Sequence, residues 1–204
     1  MGVDARPTLG VGPTPGKDHW MTELRTDRLI LRHWREEDLE PFAALNDDPD
    51  VMAHFPSHLT REASDAMADR ISTFLDDRGW GLWAVEVAGT GEFAGFTGLS
   101  IPRFEAPFMP AVEIGWRLAR GAWGRGIASE AARASMEHAF AVLDLDEVVA
   151  MIVPGNLRSQ AVATRLGMVR DESADFDHPL VPEGSPGRHH WLYRITRQEW
   201  SAAA

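Results

Sequence analysis

The segment Glu113–Ser129, EIGWRLARGAWGRGIAS, holds the residue types and spacing best suited to chemistry. A strand-like run ends near Leu118, a short loop with Gly121, Gly124 and Gly126 follows, and a helix begins near Ile127. Such a loop leaves several backbone N–H groups unpaired and turned the same way. Its glycines let a large anion approach the backbone, and the helix N-terminus adds partial positive charge. The segment reads as a pyrophosphate cradle. Arg117, Arg120 and Arg125 form a basic island there with no acid among them, which suits a bound polyphosphate. On charge alone, three ordinary surface arginines explain the island equally well.

The cradle by itself does not select its ligand. A P-loop needs G-x-x-x-x-G-K-[ST], and no Lys-Ser or Lys-Thr follows this loop. A dinucleotide fold needs G-x-G-x-x-G. Gly124-Arg125-Gly126 matches its first two glycines, and Asp146 falls about 20 residues on, where a ribose-binding acid sits. However, the loop follows the fourth expected strand rather than the first.

The elements that must position this loop are legible in order. Arg28–Trp34 reads as a strand, and Glu36–Asn46 as a helix with Leu39, Phe42 and Leu45 spaced for burial. Thr60 caps a second helix whose apolar stripe is Met67, Ile71 and Phe74/Leu75. Gly79–Val87 and Glu92–Ile101 are strands joined by a hairpin at Ala88-Gly89-Thr90-Gly91. Val112–Leu118 is a strand, Ile127–Leu143 a long helix and Glu147–Val153 an apolar strand. Asn156 caps a helix ending near Leu166-Gly167. A long polar loop over Ser173–Arg188 precedes a last strand, His189–Ile195. Three consecutive strands imply an antiparallel meander, and the later β-α-β implies a parallel pair. The expected class is α/β, a mixed and mostly antiparallel sheet with helices on both faces.

Composition narrows the function. The 204 residues are 44% apolar and 25% charged, as in a globular chain, and residues 21–204 read as one domain. Residues 1–20, rich in Gly and Pro, read as a disordered leader, with Met21 a natural alternative start. No run approaches the roughly 20 apolar residues of a membrane span, so no membrane partner is expected. A net charge of −11 argues against nucleic acid and suits an amine-bearing partner. The absence of cysteine excludes disulfides, thiolate metal sites and a cysteine nucleophile, and fits a cytoplasmic enzyme.

Four pieces of the chain, in this order and spacing, resemble the GNAT acetyltransferases, and in particular their Rim-type branch of ribosomal-protein N-terminal acetyltransferases. They are Thr26-Asp27-Arg28-Leu29-Ile30-Leu31-Arg32, the strand Glu113–Leu118, the loop Trp123–Ala131, and Asn156 to Ser159 with Leu166-Gly167-Met168. The resemblance spans roughly Thr22–Trp200. It implies the GNAT fold and acetyl-CoA as co-substrate. Backbone N–H groups across Gly124, Arg125, Gly126, Ile127, Ala128 and Ser129 would then hold the CoA pyrophosphate. The strand end Trp116, Arg117 and Leu118 would bond the pantetheine arm, and Asn156 would contact that arm from the facing helix. Trp123, where the wider family has Gln or Arg, is familiar in the Rim-type branch. Family members are often dimeric, so a homodimer is an expectation.

Acetyl transfer to an amine needs a base, an oxyanion donor and a partner for the thiolate. Glu113, on the strand entering the loop, is the candidate base; a structural carboxylate is the plain alternative. Many family members carry a tyrosine acid at the position of Ala163, and the chain's single tyrosine, Tyr193, lies in the last strand. Ser159, one helical turn before Ala163, is the candidate partner for the sulfur, unless it merely bonds backbone. Asp175, Asp177, His178, His189 and His190 match no zinc spacing, and the resemblance calls for no metal. His189 and His190 point to opposite strand faces, so one of them is placed to line the acceptor side. Trp34, Phe55, Trp80 and Trp83 flank the region where the resembled fold builds its acceptor pocket; core packing explains them as well. The expectation is direct transfer of acetyl from acetyl-CoA to a small-molecule or protein N-terminal amine. A non-catalytic acyl-CoA sensor is the alternative.

Overall fold

Nine strands, several of them short, and five helices make up more than half of the described chain. The computed structural model describes residues 23–203; the leader expected over residues 1–20 lies outside them. In chain order the elements are β1 (Leu24–Arg25), β2 (Leu29–Arg32), α1 (Leu39–Asp47), α2 (Arg61–Arg78), β3 (Leu82–Val87), β4 (Glu92–Ser100) and β5 (Glu113–Leu118). They continue with α3 (Ile127–Ala141), β6 (Glu147–Ile152), α4 (Leu157–Arg165), β7 (Val169–Arg170), β8 (Phe176–Asp177), β9 (His189–Thr196) and α5 (Arg197–Ala203). The sheet order is β1-β2-β3-β4-β5-β6-β9-β7, with β8 also on β9. Every pair is antiparallel except β5 with β6. The meander and the parallel crossover are therefore as the sequence implies.

One face of the sheet buries Trp83, Leu99, Ile114, Leu118 and Val148 against Ile127, Ala131, Ala132 and Met136 of α3 and Val162 and Ala163 of α4. The other face packs Phe96 against Phe42 and Leu45 of α1 and Ala68 of α2, with Trp34 at the edge. Thr60 caps α2 by accepting from the Ala63 N–H, and Gly79, at φ +74°, ends it. Among the described residues no helix is long and apolar enough to cross a membrane.

Some expected boundaries move. The strand expected over Arg28–Trp34 stops at Arg32, and β1 precedes it. The expected helix over Glu36–Asn46 starts with a 3-10 turn at Glu36–Asp38. The polar loop after Ser173 contains β8. Strands as short as β1, β7 and β8 carry no periodicity of their own and exist because a longer neighbour pairs with them.

Arg32, on β2, donates from Nη1 and Nη2 to Asp38 at 2.7 and 2.9 Å and from Nε to Glu86 at 2.6 Å. Burial opposes its charge, but hydrogen bonds to the two carboxylates outweigh burial and raise its pKa. This cluster joins β2, β3 and the entry to α1. Asp38→Ala is expected to cost about 3 kcal/mol, because the buried guanidinium loses its bidentate partner. A lower midpoint in urea unfolding is the readout.

Candidate active site

The site begins where β5 and β6 part. They pair at a single position, Glu113 opposite Val149, with the Val149 N–H donating to the Val112 carbonyl at 3.0 Å. Beyond it β5 stays bonded to β4 as far as Leu118, while β6 continues with β9 alone. Gly115–Leu118 thus have no strand partner on the β6 side. An extended arm with amide groups can add to that edge as a strand would.

The α4 side of this opening is organised by Asn156. Its Oδ1 accepts from the Ser159 N–H at 3.1 Å, capping α4 and leaving its amide nitrogen without a protein partner among the described residues. Trp116 reaches across and donates from Nε1 to Ser159 Oγ at 3.2 Å. Among the described residues Ser159 Oγ donates to no backbone carbonyl, so its own proton stays available for another acceptor.

At the far end of β5 lies the cradle. Trp123 donates to the Leu118 carbonyl at 2.9 Å, folding the loop back onto the strand. Gly124 and Gly126 have φ of +71° and +77°, which a side chain rarely adopts. The first bond of α3 runs from the Glu130 N–H to the Gly126 carbonyl at 3.1 Å. None of the backbone N–H groups from Gly124 to Ser129 has a protein partner among the described residues, and Gly124–Gly126 are exposed. Donors so arranged at a helix N-terminus fit a pyrophosphate.

The cradle is braced from behind by residues 100 positions away. Arg28 pairs with Glu130 at 2.5 Å and donates to the Arg125 carbonyl at 2.9 Å. Thr26 donates to Glu130 at 2.6 Å. Burial opposes the Glu130 charge, but these bonds prevail and lower its pKa. The role of Glu130 was not foreseen; its place in the first turn of α3 was the available signal.

The basic island is corrected. Arg120 is held by Asp48 at 3.3 Å and Asp50 at 2.7 Å, and the Arg117 side chain points to the opposite sheet face from Trp116. Arg125 remains on the loop, joined by Arg158, whose guanidinium lies 4.3 Å from the Trp123 ring centre. Backbone donors rather than arginines dominate the cradle.

Glu113 lies on the opposite face from Ile114 and Trp116. Ser100, directly across the β4–β5 ladder, donates to its Oε2 at 3.3 Å. The residue is half-buried, yet protein crowds its carboxyl. Loss of water pushes its pKa up to about 7, and the Ser100 bond pulls against that rise. A carboxyl poised near neutrality can take a proton from an amine. Ser100 is a second residue not foreseen, visible only once the register is known. On the same face, next to Val149, sit Leu192, Phe108 and Met109.

The other candidates are dispersed. Trp80 and Trp83 are core residues, Trp83 packing on His138 of α3, so of the four flanking aromatics core packing accounts for these two, and Phe55 and the edge of Trp34 lie outside it. His190 stacks on Phe176 with ring centres 5.7 Å apart, and His178 is 5.2 Å from His190. Burial lowers the pKa of both histidines. His189 bonds Asp177 at 3.1 Å, and Asp175 accepts from the Leu192 N–H at 3.2 Å. Among the described residues no group of three His, Asp or Glu is placed to hold a metal. Tyr193 is in the core, and Ala163 is fully buried.

Comparison with known proteins agrees with this geometry. Residues 28–169 match the acetyltransferase (GNAT) domain family. The chain is 35% identical over 148 residues to YkkB of Bacillus subtilis, covering 72% of this chain and 85% of that protein. It is 31% identical over 190 residues to the FsC-acetyl coenzyme A-N(2)-transacetylase of Aspergillus fumigatus, covering 87% and 77%. The crystal structure of an acetyltransferase from Agrobacterium tumefaciens is similar at TM-score 0.68 and 29% identity, covering 85% and 93%. The chain belongs to the GNAT acetyltransferase family, and its fold is the GNAT fold.

Gly126→Glu tests the cradle. It forces a side chain into the left-handed region 3.4 Å from Arg28 and puts a negative charge where the anion would sit. Titration calorimetry should show acetyl-CoA binding lost while circular dichroism stays native; tight binding by the variant would refute the assignment.

Proposed function

We propose that this chain moves an acetyl group from acetyl-CoA to a primary amine by direct attack in a ternary complex, with Glu113 as base and Ser159 as partner of the departing sulfur. The observation that carries the reading is the single-pair junction of β5 and β6. It leaves the edge of β5 unpaired beside Ser159, with Glu113 at the pair where the two strands part, which supports the reading. Trp116, Arg117 and Leu118 would hold the pantetheine through their backbone, with Asn156 opposite. Gly124–Ser129 would hold the pyrophosphate, with Trp123 beneath. The name of the Aspergillus relative specifies acetyl coenzyme A, which supports the same donor here.

The ammonium group of the acceptor gives a proton to Glu113, directly or through a water. Its nitrogen attacks the thioester carbonyl, the C–N bond forms and the C–S bond breaks with its electron pair on sulfur. The hydroxyl of Ser159 hydrogen-bonds that thiolate, and the second nitrogen proton leaves to the thiolate or to water. The acceptor is a small-molecule or protein N-terminal amine, and the enzyme is a cytoplasmic one. The buried Ala163, where a tyrosine acid is often found, favours one further reading, a non-catalytic acyl-CoA sensor. Absence of thiol release across an amine panel would establish it.

Glu113 must be ionised to accept a proton, so activity should fall as pH drops through about 7. Glu113→Gln is expected to lower kcat about a hundredfold, with acetyl-CoA affinity unchanged and that acid limb gone. It should be at least as stable as the parent at pH 8, where burial disfavours the carboxylate. Ser100→Ala removes the bond that lowers the pKa, so it should move the limb to higher pH. A pH–rate profile unaltered in Glu113→Gln removes Glu113 as base.

A further inference from the structure

The side chain of Arg117 has no role in the reading above, which uses only its backbone. It lies on the Glu113 face of β5, away from the cradle. Its guanidinium stacks 4.0 Å from the Phe55 ring centre, on the α1–α2 connection, and 5.5 Å from that of Phe96. Nη1 donates to Asn46 Oδ1 at 2.5 Å, and the fully buried Asn46 is itself fixed by donating to Ser64 at 2.9 Å. Nε is sealed from water with no partner, and no hydrogen bond engages Nη2 among the described residues. No described carboxylate lies within ion-pair distance, although Arg120, three residues on, has two.

A cation so enclosed normally brings a counter-charge with it. The rings fix its plane and the amide fixes one corner, leaving Nη2 as a pre-oriented donor. That geometry matches a carboxylate. The cradle leads into α3, which packs on the other face of the sheet, so the CoA phosphates are not assigned to Arg117.

We propose that Arg117 is a specificity residue for the acceptor, recognising a carboxylate carried by the amine substrate several bonds from its nitrogen. The inference rests on Glu113 marking the amine end of the site. Four residues of strand separate the two positions, roughly 13 Å at Cα, a gap that a flexible ω-amino acid with a hydrogen bond at each end spans. Burial without a counter-charge lowers the Arg117 pKa to about 10, so the group remains a cation at neutral pH. The connection from Asp48 to Leu59 closes over this path, with Phe55 on Arg117 and His54 placed 3.5 Å from where a Cβ on Gly155 would stand.

The test compares 6-aminohexanoate with n-hexylamine, which differ in the terminal carboxylate, using release of CoA thiol. The wild type should favour 6-aminohexanoate at least tenfold in kcat/KM. Arg117→Gln should erase that preference by raising KM for 6-aminohexanoate at least tenfold more than KM for hexylamine; Arg117→Lys should restore part of it. Equal turnover of both amines by the wild type, or equal loss for both in Arg117→Gln, overturns the inference while leaving the acetyltransferase reading intact. Release with neither amine nor any other in a panel overturns the acetyltransferase reading instead. A second measurement needs no turnover: hexanoate titrated into the wild-type protein with CoA present should shift the Arg117 Nε–H resonance saturably. An unmoved resonance overturns the inference, including where Arg117→Gln fails to fold.

Discussion

The single pair that joins β5 to β6 is the constraint on which the site depends. A sheet held by a full ladder would satisfy every backbone group of Trp116 and Leu118 with another strand. Here the ladder stops after Glu113 and Val149, and the two halves of the sheet are tied instead through α3, packed under β5, and through β9 on the far side of β6. The parting leaves polar backbone at the centre of the sheet, which is costly unless water or a ligand covers it. It also places side chains from β5 and α4 across a narrow opening, as the Trp116–Ser159 bond shows.

The cradle follows a similar logic. Its shape comes from geometry that the rest of the chain enforces. Trp123 fastens the loop to the end of β5, two glycines take left-handed turns, and Arg28 with Thr26 clamps Glu130 in the first turn of α3. A flexible basic loop would attract an anion but would have to be ordered on binding. Fixed N–H groups avoid that cost. Arg120 is spent on Asp48 and Asp50, steadying the connection that covers the other face.

Much of this was legible in the sequence, and the rest was not, for physical reasons. The glycine loop, the long helix after it and the meander before it announce themselves by local pattern, because turn geometry and amphipathic period are encoded within a few residues. The cap on α4 was legible in the same way, since Asn156 and Ser159 have the spacing of a side-chain cap. Partners distant along the chain were not. Arg120 looked free because its acids lie 70 residues earlier, and Glu130 looked ordinary because its clamp lies 102 residues earlier. Ser100 meets Glu113 through hairpin register, which the irregular loop between them does not specify. The opposite facing of Trp116 and Arg117, by contrast, follows from strand alternation alone.

That alternation divides β5 between two faces. Ile114, Trp116 and Leu118 point toward α3 and α4, while Glu113 and Arg117 point the other way, Arg117 onto Asn46 of α1. Each of these two is desolvated, and they carry opposite signs. Paired with each other, they would relieve the cost of burial for both. The strand forbids it: four residues of extended chain hold them too far apart for direct contact, and neighbours fix each in place, Ser100 for Glu113 and Asn46 with two aromatic rings for Arg117. The fold therefore keeps a half-neutral carboxyl and a guanidinium with no carboxylate partner among the described residues apart on one face of β5. A molecule carrying an amine at one end and an anion at the other satisfies both at once, and a simple alkylamine satisfies only the first.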